Sequence, residues 1–353
     1  MRVRPLVHDL FELHSRRKQG IRFCGLLTAF MFGLLPAGPA HAETNQLRLL
    51  RPLDLAALPL LVMEHEHLIE RIAEAMGLGT VTVIWSAPGK TGAVETLAAG
   101  DSDLVAVDLA PFLVAADATA GTPQEVRALG ALAQLPYVLV TRNAAVRTIR
   151  DFGAADRIAV PELKISGPAL ELELAAAQEW GPEHYAKLDP LVLARPDAAA
   201  AAELLSGKGE IDAHFSRTPY ADDELGNPAI HRVMDSFDIA GPHSAAVLAT
   251  TLRFRTANPT LCAAILSALQ TAGDFIKSSP GAAAEIFAAM VKDQDIPVED
   301  LTDMIGDPDF AYTAAPAGVM RLVDFMHRVG RLKHRPPSWQ DLFLPEARDL
   351  KGS

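Results

Sequence analysis

Two short stretches gather hydroxyls, a lysine and small residues where a helix is about to begin. In SAPGKTG, Ser86, Gly89, Lys90, Thr91 and Gly92 stand between the β-rich run VTVIW (81–85) and the helix former AVETLAAG. Backbone N–H groups, two hydroxyls, an ammonium and the positive end of a helix dipole could hold an oxyanion there; an ordinary capped turn would use the same residues. Lys164, Ser166 and Gly167 repeat the arrangement in LKISGP, with Ser166 placed to cap the next helix and Pro168 in its first turn. Asp108 ends the run LVAVD, where it can accept from a ligand amine or order its loop. His214 and Arg217 follow IDA. Arg217 offers a planar fork of donors suited to a sulfonate or carboxylate, and equally suited to a surface ion pair with Asp222 or Asp223. Tyr137, His243 and Ser244 fall where the chain would cross between two halves, to line a cleft or stiffen a hinge. The chemistry these residues describe is non-covalent capture of a small solute.

Other chemistries find no foothold. His65 and His67 alternate with Glu64 and Glu66, but residues two apart on a helix do not share a face and no HExxH spacing occurs, so they read as a solvated helix face. Ser166-Gly167-Pro168 lacks the glycines of a nucleophile elbow, and APGKTGAVE lacks the leading glycine and spacing of a phosphate-binding loop. No cofactor or metal is expected, and no catalytic residue.

The elements that position these residues alternate. VTVIW, a turn, a helix ended by Gly100, LVAVD and a second helix carrying Pro111 in its first turn imply parallel strands with crossover helices, whose N-termini gather at the strands' C-terminal edge. LRLLRPL (47–53) reads as the opening strand, and LPLLVMEHEHLIERIAEAMGL (58–78) as one helix stopped by Gly77. VRALGALAQLPYVLVTRN (126–143) reads as one or two strands. The theme then recurs: strand RIAVPE and a helix from Ala169 to about Trp180; strand PLVLARP and a helix capped by Asp197; then IDAHFSRTPY as strand and turn. Strand, turn and strand over 231–255 return the chain to its first half, and the remainder to Val329 is helical. Trp339, Leu342 and Phe343 offer apolar area for the tail to dock.

At 353 residues the chain exceeds one typical core, so two lobes are expected. Residues 1–42 read as a cleavable signal peptide: Arg16, Arg17, Lys18 and Arg22, then an apolar run, then Ala40-His41-Ala42. Gln19 and Gly20 argue against the twin-arginine route, and Arg22-Phe23 against a lipobox at Cys24. No later run reads as long enough to span a membrane, so an exported, soluble protein is expected. Discounting that leader removes six basic and two acidic residues and moves the formal charge from −12 to −16. A chain this acidic is unsuited to nucleic acid, which is bound by neutralising phosphates. Cys262 is then alone, in an apolar helical pattern, and reads as a buried structural thiol.

The order ETLAAGDSDLVAVDLAPFL, IAVPELKISGPALELELAAAQEWG, AELLSGKGEIDAHFSRTPY and VLATTLRFRTANPTLCAAILSALQTAGDFI, closed by WQDLFLPEARDL, resembles the substrate-binding proteins of nitrate/sulfonate/taurine-type ABC importers. The resemblance implies an α/β, periplasmic-binding-protein-like (type II) fold: lobe 1 from 43–140 and 241–353, lobe 2 from 141–240, and two crossover hinges. It implies a monomer in the periplasm that takes a small anionic, sulfonate- or nitrate-like solute in an interlobe cleft, delivers it to a cognate ABC permease in the inner membrane, and catalyses nothing. The alternatives are a ligand-sensing module for a membrane receptor, or a heterocyclic (thiamine-precursor-like) or aromatic acid ligand. A self-sacrificing pyrimidine synthase on a related fold uses a cysteine-rich motif that a lone Cys262 cannot supply.

Overall fold

The computed structural model describes residues 42–89, 91–292 and 296–353. The expected signal peptide, apart from Ala42, lies outside the described residues, and so does Lys90.

The first lobe is assembled from β1 (Gln46–Leu50), α1 (Leu58–His65), α2 (Leu68–Ala75), β2 (Thr82–Ser86), α3 (Ala93–Ala99), β3 (Leu104–Asp108), α4 (Leu109–Thr119) and β4 (Val126–Gln134). β1 pairs in parallel with both β2 and β3, as the alternation of strand and helix requires. The chain then leaves for the second lobe: β5 (Val138–Thr141), β6 (Ile158–Val160), α5 (Gly167–Trp180), β7 (Val192–Ala194), α6 (Asp197–Ser206), β8 (Ala213–Ser216), α7 (Tyr220–Leu225), β9 (His231–Asp235) and α8 (Ser236–Ala240). It returns through β10 (Ser244–Thr251) and ends in α9 (Leu252–Ala257), α10 (Pro259–Ser278), α11 (Pro280–Met290), α12 (Val298–Ile305) and α13 (Val319–Arg328). Each lobe holds a five-stranded mixed sheet, ordered β2-β1-β3-β10-β4 in the first and β7-β6-β8-β5-β9 in the second. The stretch 126–143 is thus two strands in two different sheets, and the crossovers run through 135–137 and 236–243. A short helix, α8, precedes the turn at Gly241 where strand and turn alone were expected.

Three local readings need correction. The helix expected over 58–78 is two, because His67 adopts a left-handed backbone (φ 51°) between α1 and α2. α1 is apolar throughout and wholly inside, whereas α2 buries one face with Leu68, Ile69 and Ala73; the kink lets each meet the core in its own way. Asp197 does not cap α6; Pro196 holds the cap position and Asp197 is the first helical residue. α10 is long and apolar enough to cross a membrane by length and composition alone, contrary to the sequence reading. Its apolar face, including Leu261, Ile265 and Leu269, lies inside the first lobe's core, the commoner fate of such a helix.

The first lobe carries the large core. Phe343 of the tail is fully buried, packs edge-on to Phe112 and Trp339 and forms a bridge with Ala128 of β4, so the tail is sewn onto this lobe as its apolar residues suggested. Cys262 is buried and unpaired, and burial pushes its thiol up to about 12. α5 is buried along most of its length: Leu172 and Ala175 join the second lobe's core, while Leu170, Leu174 and Ala177 join the first's. Each leucine so removed from water is worth about 1.5–3 kcal/mol, so α5 is an apolar seam holding the lobes along one side.

Candidate functional site

A cavity of about 700 Å³ opens among the C-terminal ends of the first lobe's strands. Ala106, Val107 and Asp108 of β3, Ala246 of β10, Gly92 at the start of α3 and the Asp54–Ala57 turn after β1 line it, and Glu162 and Ile165 reach it from the second lobe. Crossover connections put helix starts and loops at that edge of a sheet. The walls are apolar, from Ala56, Pro111, Val114 and Leu132, with four carboxylates set into them: Asp54, Glu95, Asp108 and Glu162. No lysine or arginine lines it among the described residues.

Of the fourteen residues expected at the site, Gly92 and Asp108 line this cavity. Asp108 occupies the cap position of α4, but its carboxylate accepts from none of the helix N–H groups. That carboxylate instead faces Arg217, whose Nη1 lies 3.4 Å from Asp108 Oδ1 and whose Nη2 lies 3.6 Å from Asp54 Oδ2. Asp54 spends its other oxygen on the N–H of Ala57, 3.0 Å away. The surface ion pair of Arg217 with Asp222 or Asp223 does not form; the arginine points across the cleft instead, 6.0 Å from the Tyr137 ring. Burial works against the Arg217 charge, but Asp108 and then Asp54 more than compensate and hold its pKa well above the ordinary value. Burial raises the Asp108 carboxyl, with Arg217 pulling the other way.

Ser86, Gly89 and Thr91 are exposed beside the cavity turn without lining it. Lys164 is exposed with a left-handed backbone (φ 67°), between Glu162 and Ile165. Ser166 stands at the cap position of α5, yet its hydroxyl donates to the carbonyl of Glu162 at 2.6 Å, so it fastens the cleft loop and caps nothing. Gly167 lets the Tyr137 ring lie against the start of α5: a Cβ there would sit 2.4 Å from the Tyr137 hydroxyl. Ser244 is buried, its hydroxyl accepting from Ala317 N–H at 3.0 Å.

His214 is fully buried behind the cleft and makes no cavity wall. Its Nδ1 is 2.6 Å from Glu224 Oε1 and its Nε2 3.3 Å from Asp197 Oδ1, while Ser216 donates to Glu224 at 3.3 Å. Burial opposes protonation, but the hydrogen bonds that the ring donates to Asp197 and Glu224 prevail and raise the imidazole to about 9. His243 lies in the second crossover, stacked 6.0 Å from Tyr137 and edge-on to Phe237 at 5.1 Å. Its Nδ1 donates to Gly241 O at 3.0 Å, and its Nε2 is buried without a partner, 4.0 Å from Glu171 Oε1. Burial lowers the imidazole to about 4 and raises the Glu171 carboxyl to about 8. Two residues along α5, Glu173 forms a two-pronged ion pair with Arg331.

Sequence reasoning missed Asp54, Glu95, Glu162 and Ile165. Asp54 carried a signal, since an aspartate just past a strand that ends at a proline is a natural cap; Glu162 and Ile165 flank the predicted Lys164 and gave none.

The chain matches no family model and no curated protein. Solved structures do share its fold. The alkanesulfonate-binding protein of Xanthomonas axonopodis pv. citri bound to MOPS superposes with a TM-score of 0.61 at 18% identity, over 83% of this chain and 96% of that one. The periplasmic aliphatic sulphonate-binding protein of Escherichia coli gives 0.66 at 16% identity, over 86% and 93%. The periplasmic nitrate-binding protein of Synechocystis PCC 6803 gives 0.63 at 14%, over 86% and 87%. The chain therefore has the two-lobed periplasmic-binding-protein fold expected from its sequence.

Proposed function

We propose that this protein is the periplasmic solute-binding component of an ABC importer, capturing a small molecule between its lobes and presenting it to a membrane permease without transforming it. The observation that carries the reading is the cavity of about 700 Å³ framed by strand ends of one lobe and a loop of the other, the size and composition usual for small-molecule sites. Gly92, Asp108, Asp54, Glu95, Glu162 and Ile165 are the contacts this reading assigns to the solute. Ligand closing the gap between the lobes shifts the population toward one compact form that a permease can recognise.

The neighbours named for sulfonate and nitrate favour an anion. The lining favours a second ligand class: among the described residues four carboxylates face the cavity, and the Arg217 guanidinium beside them already answers two of them. A solute with an ammonium or amidinium group, zwitterions included, meets that lining without desolvating like charges. A thermal-shift screen of alkanesulfonates and nitrate against amines and cationic heterocycles tests both. Solute at a hundred times its dissociation constant adds about 2.7 kcal/mol of stability. A shift with amines alone selects the cationic class, and a shift with sulfonates alone restores the anion. Silence from every small molecule would end the transport reading.

A further inference from the structure

We infer that Arg217 is a clasp between the lobes, and that its distribution between Asp54 and Asp108 sets how readily the cleft opens. The inference rests on the solute-capture reading and assigns Arg217 a role other than gripping the solute. The residue directly follows β8 of the second lobe, whereas Asp54 follows β1 and Asp108 ends β3 in the first. Both carboxylates line the cavity, so the two ion pairs, at 3.4 and 3.6 Å, span the cleft between the lobes.

The attachments along α5 and at the cleft differ in what it takes to release them. Along α5 the lobes share leucines and alanines with the buried Glu173–Arg331 pair beside them, and they separate only by exposing apolar surface and breaking that pair. Across the cleft they share charges at ion-pair rather than close hydrogen-bond length, and charges can be re-solvated or handed to another partner. The Arg217 side chain is mostly buried, at 15% exposure, and the Asp54 and Asp108 side chains remain about one-third exposed. The carboxylates are therefore within reach of an entering solute while the guanidinium is sheltered. A solute cation that takes one carboxylate leaves Arg217 on the other, and a solute anion must displace a carboxylate from Arg217; either way the clasp is rearranged rather than simply occupied.

Small-angle scattering of the purified protein without added solute tests this directly. A compact chain of this length has a radius of gyration of about 20 Å. Arg217→Gln is expected to raise the radius above that of the wild type and lengthen the largest dimension, and Arg217→Lys, which keeps the charge, to fall between them. The double variant D54N/D108N removes the partners from the opposite bank and is expected to open the cleft in the same way, which covers the case in which Arg217→Gln does not fold. Scattering unchanged from wild type in the folded variants overturns the clasp, and if solute-induced thermal shifts vanish at the same time Arg217 is a gripping residue instead. Because the scattering needs no solute, an empty ligand screen bears on the transport reading alone.

Discussion

His214, within β8 of the second lobe, and His243, in the second crossover, are both buried imidazoles, yet they are driven in opposite directions. His214 sits between Glu224 and Asp197 and is held protonated to about 9. His243 donates to a backbone carbonyl, stacks on Tyr137, leaves Nε2 without a partner and is held neutral down to about 4. Burial disfavours the charge equally in kind at both; what differs is whether carboxylates arrive within hydrogen-bond reach. The charged site pins β8, α6 and α7 together beneath Arg217, whereas the neutral site lies in the crossover that returns the chain to the first lobe.

The largest effect should come from breaking the charged site. Glu224→Gln leaves a buried imidazolium short of its nearest countercharge and is expected to cost about 3 kcal/mol, since removing one partner of a buried pair is far costlier than the pair's net worth; urea unfolding at pH 6 measures it. Next is the pH profile. Unfolded histidine releases its proton near 6.5 and folded His214 near 9, and unfolded glutamate ionises near 4.5 and folded Glu171 near 8. Above 6.5 the folded chain thus holds protons that the unfolded chain has lost, and stability falls as pH rises toward 9. Between 4.5 and 6.5 the Glu171 contribution is offset by His243, which stays neutral when folded while its unfolded counterpart takes a proton. Glu171→Gln should make the alkaline decline shallower by roughly 2 kcal/mol, read from urea midpoints at pH 6 and 9; an unaltered slope would remove Glu171 from the account. The exposed pair of His65 with Glu66 marks the other extreme. His65→Ala should change stability by less than about 0.5 kcal/mol, which supports its sequence reading as a solvated face.

The strands, their order and the small-residue helices were legible because burial of a parallel strand demands a continuous apolar run and Gly100 or Gly207 ends a helix by adopting the left-handed backbone. The kink at His67 was not, since the apolar spacing continues unbroken across it. The cleft was half legible: Asp108 and Gly92 lie at strand and helix ends that the alternation exposes. Glu171 and Glu173 carried no signal, because nothing in GPALELELAAAQEW says that the other lobe will cover them.

What the sequence by itself determined is the two-lobed α/β architecture and the edge of each sheet where a solute can be met, because periodicity, glycine stops and helix starts act over a few residues. Which charges face which was decided only by tertiary structure. Arg217 lies far along the chain from Asp54 and Asp108, and an ion pair depends on distance in space, which only the packing of one lobe on the other supplies.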